Sequence, residues 1–392
     1  MRIPKHRVAL AVGALAVGIA AVGASVPASA ASGWALQSTP NPAGATQATF
    51  NGVSCTSTTT CTAVGFFVDG TGHILALAEA WDGANWTSQP TPNPSGALNI
   101  VLNGVSCTSA TACTAVGNYS DKSGNTKTLA EAWDGATWVI QKTPNPPATT
   151  NAVLSGVSCS SPTACTAVGH YFGSSSIPTL AEAWNGAKWV IQKTPVPAGT
   201  SVYEFRGVSC ASGTACTAVG FSINGSNQDV MLTEAWKGTK WVIQHNPIPS
   251  GATSTVLSGV SCSSPTACTA VGDYLGPSTF DTLAESWNGT KWVVQKTPNP
   301  AVTTVGALLT SVSCTASTAC TAGGYNNVTP PGSATLAEAW NGAKWVIQTT
   351  PNPPGAQQSY VNGVSCNSAT ACIAVGYANV GPGAQAVAEA HS

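Results

Sequence analysis

The chain has 392 residues, of which 7% are charged and 43% are hydrophobic. So many apolar side chains, among them those of 13 tryptophans, are enough to fill a core and exclude an intrinsically disordered protein. Fourteen Lys and Arg residues are balanced by fifteen Asp and Glu residues. We therefore expect neither nucleic acid nor an anionic membrane as a partner.

The first thirty residues have the pattern of a secretory signal peptide. Three basic residues among the first seven precede an apolar run over residues 8–22, and Ala-Ser-Ala at 28–30 is a small-residue cleavage site. We predict that residues 1–30 are a signal peptide and that residues 31–392 form one secreted, extracellular domain of a bacterial protein. After cleavage, 11 basic and 15 acidic residues remain, a net charge of −4, and no stretch of 18 apolar residues could span a membrane.

Fourteen cysteines mark seven repeats. They form seven pairs with five residues between the two members, and the first cysteines of successive pairs lie 51 or 52 residues apart. A fixed period of this size predicts a solenoid or a propeller. In an exported chain without accompanying histidines, the pattern favours local disulfides over metal sites. The predicted disulfides are Cys55–Cys61, Cys107–Cys113, Cys159–Cys165, Cys210–Cys216, Cys262–Cys268, Cys314–Cys320 and Cys366–Cys372.

Each repeat contains four predicted strands, which in the third repeat are 153–159, 165–171, 179–184 and 188–192. The first strand is built of small residues, Gly-Val-Ser-Cys, as expected where several strands crowd around one axis. Asn185-Gly186 is a strong signal for a hairpin between the third and fourth strands. Prolines follow the fourth strand and end it. No segment has the amphipathic period of a helix, so the repeat is all-β.

Seven such sheets, arranged radially, can pack face to face with the tryptophans between them. The predicted fold is therefore an all-β, seven-bladed β-propeller with four antiparallel strands per blade. The last repeat stops after its third strand, whereas residues 33–40 match an isolated fourth strand. We expect this N-terminal strand to pair with the C-terminal blade and close the ring, which an open β-solenoid would not require.

The pattern L-x-G-V-S-C…A-V-G…A-W-N-G-x-x-W resembles the propeller repeats of the Asp-box (BNR) and photosystem-assembly-factor type. It is also similar to kelch blades, which share an aromatic pair and a terminal proline. The resemblance covers all seven repeats and implies a propeller fold. Residues 338–345, EAWNGAKW, keep the glycine and the last tryptophan of the Asp-box but lack its aspartate. Sialidase chemistry needs several arginines to grip a carboxylate, and Arg206 is the only arginine after residue 30, so a sialidase is excluded.

Some candidate groups for chemistry recur in every repeat. A glycoside hydrolase needs one acid and one nucleophile or base with different roles, whereas the recurring glutamates share one environment. We expect them to accept hydrogen bonds between strands or blades. The cysteine pairs and the tryptophan pairs, such as Trp184 and Trp189, are expected to be structural as well. The recurring glutamates are Glu79, Glu131, Glu182, Glu234, Glu285, Glu338 and Glu389.

The repeats differ in the loops between the second and third strands and in the loops after the prolines, which share one face of a propeller. The disulfide hairpins and the Asn-Gly turns are nearly invariant and share the other face. Variation on one face is typical of a binding surface on a rigid scaffold, although drift in exposed loops gives the same pattern. One residue per repeat follows the Val-Gly of the second strand on the varied face: Phe66, Asn118, His170, Phe221, Asp273, Tyr325 and Tyr377.

We predict a secreted, monomeric binding or scaffold module without catalytic residues, cofactor or metal, whose ligand is an extracellular glycan or protein. There are two alternatives, since propellers host all three classes. The first is an enzyme, a hydrolase or lyase, that acts on a polysaccharide or a modified sugar and uses Asp121, Asp273 or Asp281. The second is a structural envelope protein. The predicted binding residues are His170, Tyr171, Tyr203, Glu204, Arg206, Asp273 and Tyr274, of which 203–206 are placed on an inter-blade loop.

Overall fold

The computed structural model describes residues 33–147, 149–300, 303–328, 332–381 and 383–392. Residues 1–32, which contain the predicted signal peptide, lie outside the described residues. The elements of the described part are strands, and a search of that part found no helix long and apolar enough to span a membrane. The first prediction, an all-β chain, is confirmed.

Twenty-eight strands follow one another in the described residues. The N-terminal strand is β1 (Trp34–Gln37). Repeats 1 to 3 contain β2 (Gln47–Ser57), β3 (Thr60–Val68), β4 (Ile74–Trp81) and β5 (Trp86–Ser88); β6 (Ile100–Ser109), β7 (Ala112–Ser120), β8 (Thr126–Trp133) and β9 (Trp138–Gln141); and β10 (Ala152–Ser161), β11 (Ala164–Tyr171), β12 (Thr179–Trp184) and β13 (Trp189–Gln192). Repeats 4 and 5 contain β14 (Tyr203–Ser212), β15 (Ala215–Ile223), β16 (Asp229–Trp236) and β17 (Trp241–Gln244), and β18 (Ser254–Ser264), β19 (Ala267–Leu275), β20 (Phe280–Trp287) and β21 (Trp292–Gln295). Repeats 6 and 7 contain β22 (Thr303–Ala316), β23 (Ala319–Val328), β24 (Gly332–Trp340) and β25 (Trp345–Gln348), and β26 (Ala356–Cys366), β27 (Cys372–Val380) and β28 (Gly383–His391).

Within a repeat, consecutive strands pair antiparallel. In repeat 3 the order is β10-β11-β12-β13, and the register places Trp184 opposite Trp189. Repeats 1 to 4 are separate four-stranded sheets. The strands of repeats 5 to 7 join β1 in one larger sheet, because single parallel pairings link β20 to β22 and β24 to β26.

The fourth strand that repeat 7 lacks is supplied by β1. It pairs antiparallel with β28, with Trp34 opposite His391 and Gln37 opposite Ala388. The Trp34 indole donates to Gln348 of β25, and the Trp86 indole in turn donates to Gln37 of β1. Every fourth strand contributes to such a bond, at 2.8–3.0 Å: Trp34 to Gln348, Trp86 to Gln37, Trp138 to Gln89, Trp189 to Gln141, Trp241 to Gln192, Trp292 to Gln244 and Trp345 to Gln295.

The hydrophobic core consists of layers between neighbouring repeats. Between repeats 1 and 2, for example, Leu102 and Trp138 pack with Val64 and Ala78. An equivalent layer lies between the first and the last repeat, where Phe50 packs among residues of β27 and β28. Each face of a sheet is therefore buried against a neighbour, as the alternation of side chains along a strand allows.

The first strands of the seven repeats approach one another closely. A Cβ atom on Gly52 would lie 3.2 Å from the Cα atom of Gly104, and one on Gly363 would lie 3.1 Å from the Cα atom of Gly52. A serine hydroxyl of each first strand also accepts a hydrogen bond from a cysteine N–H of the next, as Ser54 does from Cys107 and Ser365 from Cys55. Side chains larger than those of Gly-Val-Ser-Cys would separate these backbones.

All seven predicted disulfides are present, and each joins two residues that face each other across the first hairpin of a repeat. The Cα atoms of each pair are 3.9 or 4.0 Å apart, and no cysteine of the described residues is free. The disulfides therefore staple hairpins and do not link one repeat to another.

The two ends of the repeats form two faces. On the constant face, the turn between the third and fourth strands packs on the disulfide hairpin: a Cβ atom on Gly186 would lie 3.1 Å from Thr163. On the variable face, the loops after the second strands meet the loops between repeats, as in the hydrogen bond from Phe172 N to Asn151 O (2.8 Å).

The seven recurring glutamates are buried and at most 1% exposed. Contrary to our prediction, six of them have no hydrogen-bond partner on either carboxyl oxygen among the described residues. Only Glu285 has one, from the amide of Asn246. The Thr282 and Thr335 hydroxyls lie near Glu338 and Glu389 and partly oppose the effect of burial on the pKa of these carboxyls.

Burial raises the pKa of Glu285 to about 7 and that of the other six glutamates to about 8. The cause is the cost of moving a charged carboxylate out of water, which favours the neutral acid. At pH 7 the six glutamates with a pKa of about 8 are therefore mostly neutral carboxylic acids, and Glu285 is about half protonated. The sequence did not reveal this, because it shows the position of a glutamate in the repeat but not the partners around it.

We predict that Trp34→Ala lowers the free energy of unfolding by roughly 3–5 kcal/mol, the usual cost of emptying a buried tryptophan site. Trp241→Ala, in the equivalent site of repeat 4, should cost about the same, since Trp34 and Trp241 are 8% and 4% exposed. Urea denaturation of residues 31–392 measures both. A cost below about 1 kcal/mol for Trp34→Ala alone would contradict the equivalence of β1 and β17.

We also predict that stability falls as the pH rises from about 4.5 to 8. In this range the unfolded chain loses protons from glutamates that the folded chain keeps protonated, so a rising pH favours unfolding. A shift of even one pKa unit is worth about 1.4 kcal/mol per group. The melting temperature should therefore be clearly higher at pH 5 than at pH 8.

Glu182→Gln should reduce this difference in melting temperature, because a neutral amide of the same shape does not titrate. Asp82→Asn, which changes an exposed carboxyl on the constant face, is the control and should leave the difference nearly unchanged. A melting temperature that rises toward pH 8 would overturn the prediction.

Candidate functional site

The predicted binding residues at 203–206 lie in a strand and not in an inter-blade loop. They begin β14, and successive side chains of a strand point to opposite sides. Tyr203 is 5% exposed and packs in the core with Phe205, whereas Glu204 points to the other side. The prediction of a loop was wrong because the strand begins directly after the short connection from repeat 3.

Tyr171 and Tyr274 also pack against core layers between repeats. Each follows a predicted residue in its strand, His170 and Asp273 respectively, and therefore lies on the opposite side of the sheet. The structure thus separates Tyr171, Tyr203 and Tyr274 from the other predicted residues. It brings His170 together with Glu204, and Arg206 together with Asp273.

His170 and Glu204 form a pair between repeats 3 and 4. His170 Nδ1 lies 3.8 Å from Glu204 Oε2, and it is buried without a hydrogen-bond partner among the described residues. Burial lowers the pKa of His170, and the charge of Glu204 partly opposes this effect. The ring of His170 also lies edge-on to Phe172, with 5.8 Å between the centroids.

Arg206 lies at a β-bulge of β14, between Phe205 and Gly207. A bulge redirects the extra side chain, and that of Arg206 lines a narrow channel between the seven first strands. Its guanidinium donates to Ser258 Oγ (3.4 Å) and lies 4.9 Å from the centroid of the Phe221 ring. The contact with Phe221 is a cation–π interaction.

The bulge position is not equivalent in all repeats. In four repeats its side chain bridges to a carbonyl of the next first strand: Asn51 to Leu102 (2.9 Å), Asn103 to Leu154 (2.9 Å), Thr310 to Val361 (2.6 Å) and Asn362 to Phe50 (2.8 Å). Ser155, Arg206 and Ser258, in three consecutive repeats, make no such bridge among the described residues. The channel is therefore asymmetric, and Arg206 lies at the centre of the unbridged part.

Asp273 is a largely buried acid at this end of the channel. It is 6% exposed, and its carboxyl group has no hydrogen-bond partner among the described residues. Burial raises the pKa of Asp273 to about 6, Arg206 opposes the shift and Asp229 adds to it. Asp229 itself accepts a hydrogen bond from Ser254 Oγ (3.2 Å). At neutral pH Asp273 is thus an ionised acceptor without a partner.

Tyr325 lies near Asp273, and two further tyrosines continue from it. The rings of Tyr325 and Tyr360 meet edge to face at 4.7 Å, and those of Tyr360 and Tyr377 stack at 4.8 Å. Burial is the main cause that raises the pKa of Tyr325, with smaller contributions from Tyr360 and Asp273, while Arg206 opposes them. The mouth cluster is defined as Arg206, Asp273, Tyr325, Tyr360 and Tyr377.

Sequence reasoning missed Tyr360. The register places it directly opposite Tyr377, in the first strand of repeat 7. The corresponding first-strand residues include Thr49 and Val101, so a large aromatic residue at this position was a usable signal. It becomes visible only when the first strand is aligned against the second.

The other acids considered for catalysis lie apart from the mouth cluster. Asp121 is in an exposed turn, where hydrogen bonds from Asn125 and Ser123 hold its pKa below the usual range. Asp281 lies beside Tyr274, where burial raises the pKa of the phenol and Asp281 adds to the shift. No group of three His, Cys, Asp or Glu residues suited to a metal occurs in the part of the chain that the structure describes.

No protein-family model matches the chain, and no curated protein matches its sequence. Solved structures do match. The GH74 xyloglucanase of Xanthomonas campestris has a TM-score of 0.53 and 12% identity, and the match covers 90% of this chain and 54% of the xyloglucanase. The described residues have a β-propeller fold.

Two further matches are more distant. The fucose-specific lectin of Aleuria aurantia has a TM-score of 0.42 and 13% identity, over 79% of this chain and 98% of the lectin. The Trypanosoma rangeli sialidase has a TM-score of 0.47 and 9% identity, over 91% of this chain and 58% of the sialidase. This propeller spans about half the length of the xyloglucanase, and at such identities the similarity concerns the fold alone.

Proposed function

We propose that residues 1–30 are a signal peptide and that residues 31–392 form a secreted, monomeric, seven-bladed β-propeller that binds a glycan without catalysis. β1 completes the last blade and closes the ring. Support for closure comes from the Trp–Gln bonds and the Ser–Cys bonds, both of which run from repeat 7 to repeat 1 as they do between other neighbours. Seven disulfides fit an extracellular protein.

The glycan site is the mouth cluster at the variable-face end of the channel. The observation that carries this proposal is Asp273, a largely buried residue whose carboxyl accepts no hydrogen bond from the described residues and lies beside Arg206, the only arginine of the mature chain. The oxygens of Asp273 are not among the fully buried unpartnered atoms, so a ligand hydroxyl can replace water there and donate a charge-assisted hydrogen bond. Sugar hydroxyls donate to a carboxylate and accept from a guanidinium.

The three tyrosines supply the second half of such a site. The apolar face of a sugar ring can pack on the exposed part of the tyrosine rings, while Asp273 and Arg206 fix its hydroxyls. The mouth cluster occurs once among repeats that are otherwise similar. Its single occurrence suits a specific site better than the repeated glutamates do.

The second candidate is a hydrolase acting on a polysaccharide. It is favoured by the raised pKa of Asp273, about 6, and by the proximity of Asp229. A proton donor beside a second carboxylate is the arrangement that glycoside hydrolysis uses. The two candidates share one site and differ in whether product is released.

We predict that Asp273→Asn weakens glycan binding by tenfold or more, the equivalent of a charged hydrogen bond of about 1.5–3 kcal/mol. A glycan array with residues 31–392 selects the ligand, and calorimetry measures the affinity. Tyr360→Phe should keep the affinity within about threefold, and Tyr360→Ala should lower it further than Tyr360→Phe.

Asp121→Asn, on the variable face outside the mouth cluster, is the matched control and should bind as the unchanged protein does. Retention of full affinity by Asp273→Asn would place the site elsewhere. Release of reducing ends from the ligand by the unchanged protein, abolished in Asp273→Asn, would replace the binding proposal by the hydrolase.

A further inference from the structure

The constant face carries an arc of lysines. The residue before the buried tryptophan of the fourth strand is lysine in four consecutive repeats, and repeat 4 has a second lysine at the start of the same turn. All five are exposed. The lysine arc is defined as Lys188, Lys237, Lys240, Lys291 and Lys344.

The turns hold these lysines at equivalent places. The backbone carbonyl of Lys188 accepts from Asn185 N, and that of Lys240 accepts from Lys237 N. The same bond recurs at Lys291 and Lys344. The ammonium groups therefore follow one another around the rim at the spacing of the repeats.

No acid lies on this part of the constant face. The disulfide hairpins of repeats 3 to 6 have the tips SSPT, ASGT, SSPT and TAST, which carry no charge. The constant-face acids, Asp82 and Asp134, belong to repeats 1 and 2. The remaining acids that are not buried between repeats belong to the variable side: Asp69, Asp121, Glu204, Asp229, Asp273 and Asp281.

The buried glutamates do not neutralise the positive charge of the lysine arc either. Six of these carboxyls are mostly neutral at pH 7 and Glu285 is about half ionised, so 11 basic residues of the mature chain are opposed by about nine ionised acids. The net charge is then about +2 instead of −4. The charge count from the sequence, which argued against an anionic partner, does not apply to the folded surface.

Two grooves lie next to the lysine arc, and the half-buried indole of Trp236 lines both of them. One lies between repeats 3 and 4 and is lined by Ile191, Lys193, Trp236 and Lys240. The other lies between repeats 4 and 5 and includes Lys237. An aromatic ring flanked by ammonium groups suits a sugar ring that carries a negative charge.

We propose that the constant face of repeats 3 to 6 binds an acidic polysaccharide, whose carboxylates pair with the lysine arc. The hairpin tips favour this ligand over an anionic membrane. They are built of Ser, Thr, Pro, Ala and Gly, and offer hydroxyls to a hydrophilic polymer but no large apolar side chain that could enter a bilayer. This site is separate from the mouth cluster, which lies at the opposite end of the channel.

The probe is polygalacturonate, and its fully methyl-esterified form is the neutral match. Residues 31–392 should bind polygalacturonate at 50 mM salt. At 200 mM salt the binding should be weaker, because salt screens exposed charges. The methyl-esterified form should not bind. The arc variant combines Lys188→Gln, Lys240→Gln, Lys291→Gln and Lys344→Gln. It should lose at least tenfold in affinity, with an unchanged melting temperature.

The charge-matched control combines Lys122→Gln, Lys127→Gln, Lys142→Gln and Lys296→Gln, which lie outside the arc. It should stay within about twofold of the unchanged protein. Equal losses in both variants would mean a general charge effect and would overturn the proposal, as would full binding by the arc variant.

Two further measurements separate this site from its competitors. Vesicles of phosphatidylglycerol that bind while polygalacturonate does not would overturn the choice of a polysaccharide in favour of a membrane. Asp273→Asn should bind polygalacturonate as before. A loss of affinity in Asp273→Asn would place the acidic polymer at the mouth cluster and overturn the constant-face site.

Discussion

The structure depends on the close approach of seven first strands around one channel. Backbone-to-backbone contact there requires glycine at positions such as Gly104 and Gly156, and the adjoining Ser–Cys bonds hold each first strand to the next. Each first strand also contains a β-bulge, which turns one side chain toward the channel. The bulge is thus a position near the centre at which repeats that are otherwise similar differ chemically.

Much of the fold could be predicted from the sequence, because cysteine spacing, Asn-Gly turns and strand-ending prolines are local signals. The disulfides, the strand order and the pairing of β1 with β28 follow from them. The candidate site was harder to predict from the sequence. Assigning Tyr203 and Glu204 to opposite sides requires the starting residue of the strand, and finding Tyr360 requires the register between two strands.

Burial also changes how the net charge of the protein follows from its composition. A count of acids treats Glu182 and Asp82 alike, yet one is a neutral group inside a protein layer and the other is ionised in water. Positive and negative side chains are thereby concentrated on different faces of the protein. Acids collect near the loops of the variable face and lysines near the turns of repeats 3 to 6, so one rigid body presents two surfaces of different chemistry.

The pairing of β1 with the last repeat has a consequence for folding. The Trp34–Gln348 bond joins residues 314 positions apart, whereas each disulfide closes a separation of six. Contacts within a hairpin form early because little chain entropy is lost, and the longest loop closes at the greatest entropic cost. A nascent chain therefore carries β1 without its partner strand until β28 has been synthesised, and the last repeat becomes complete only then.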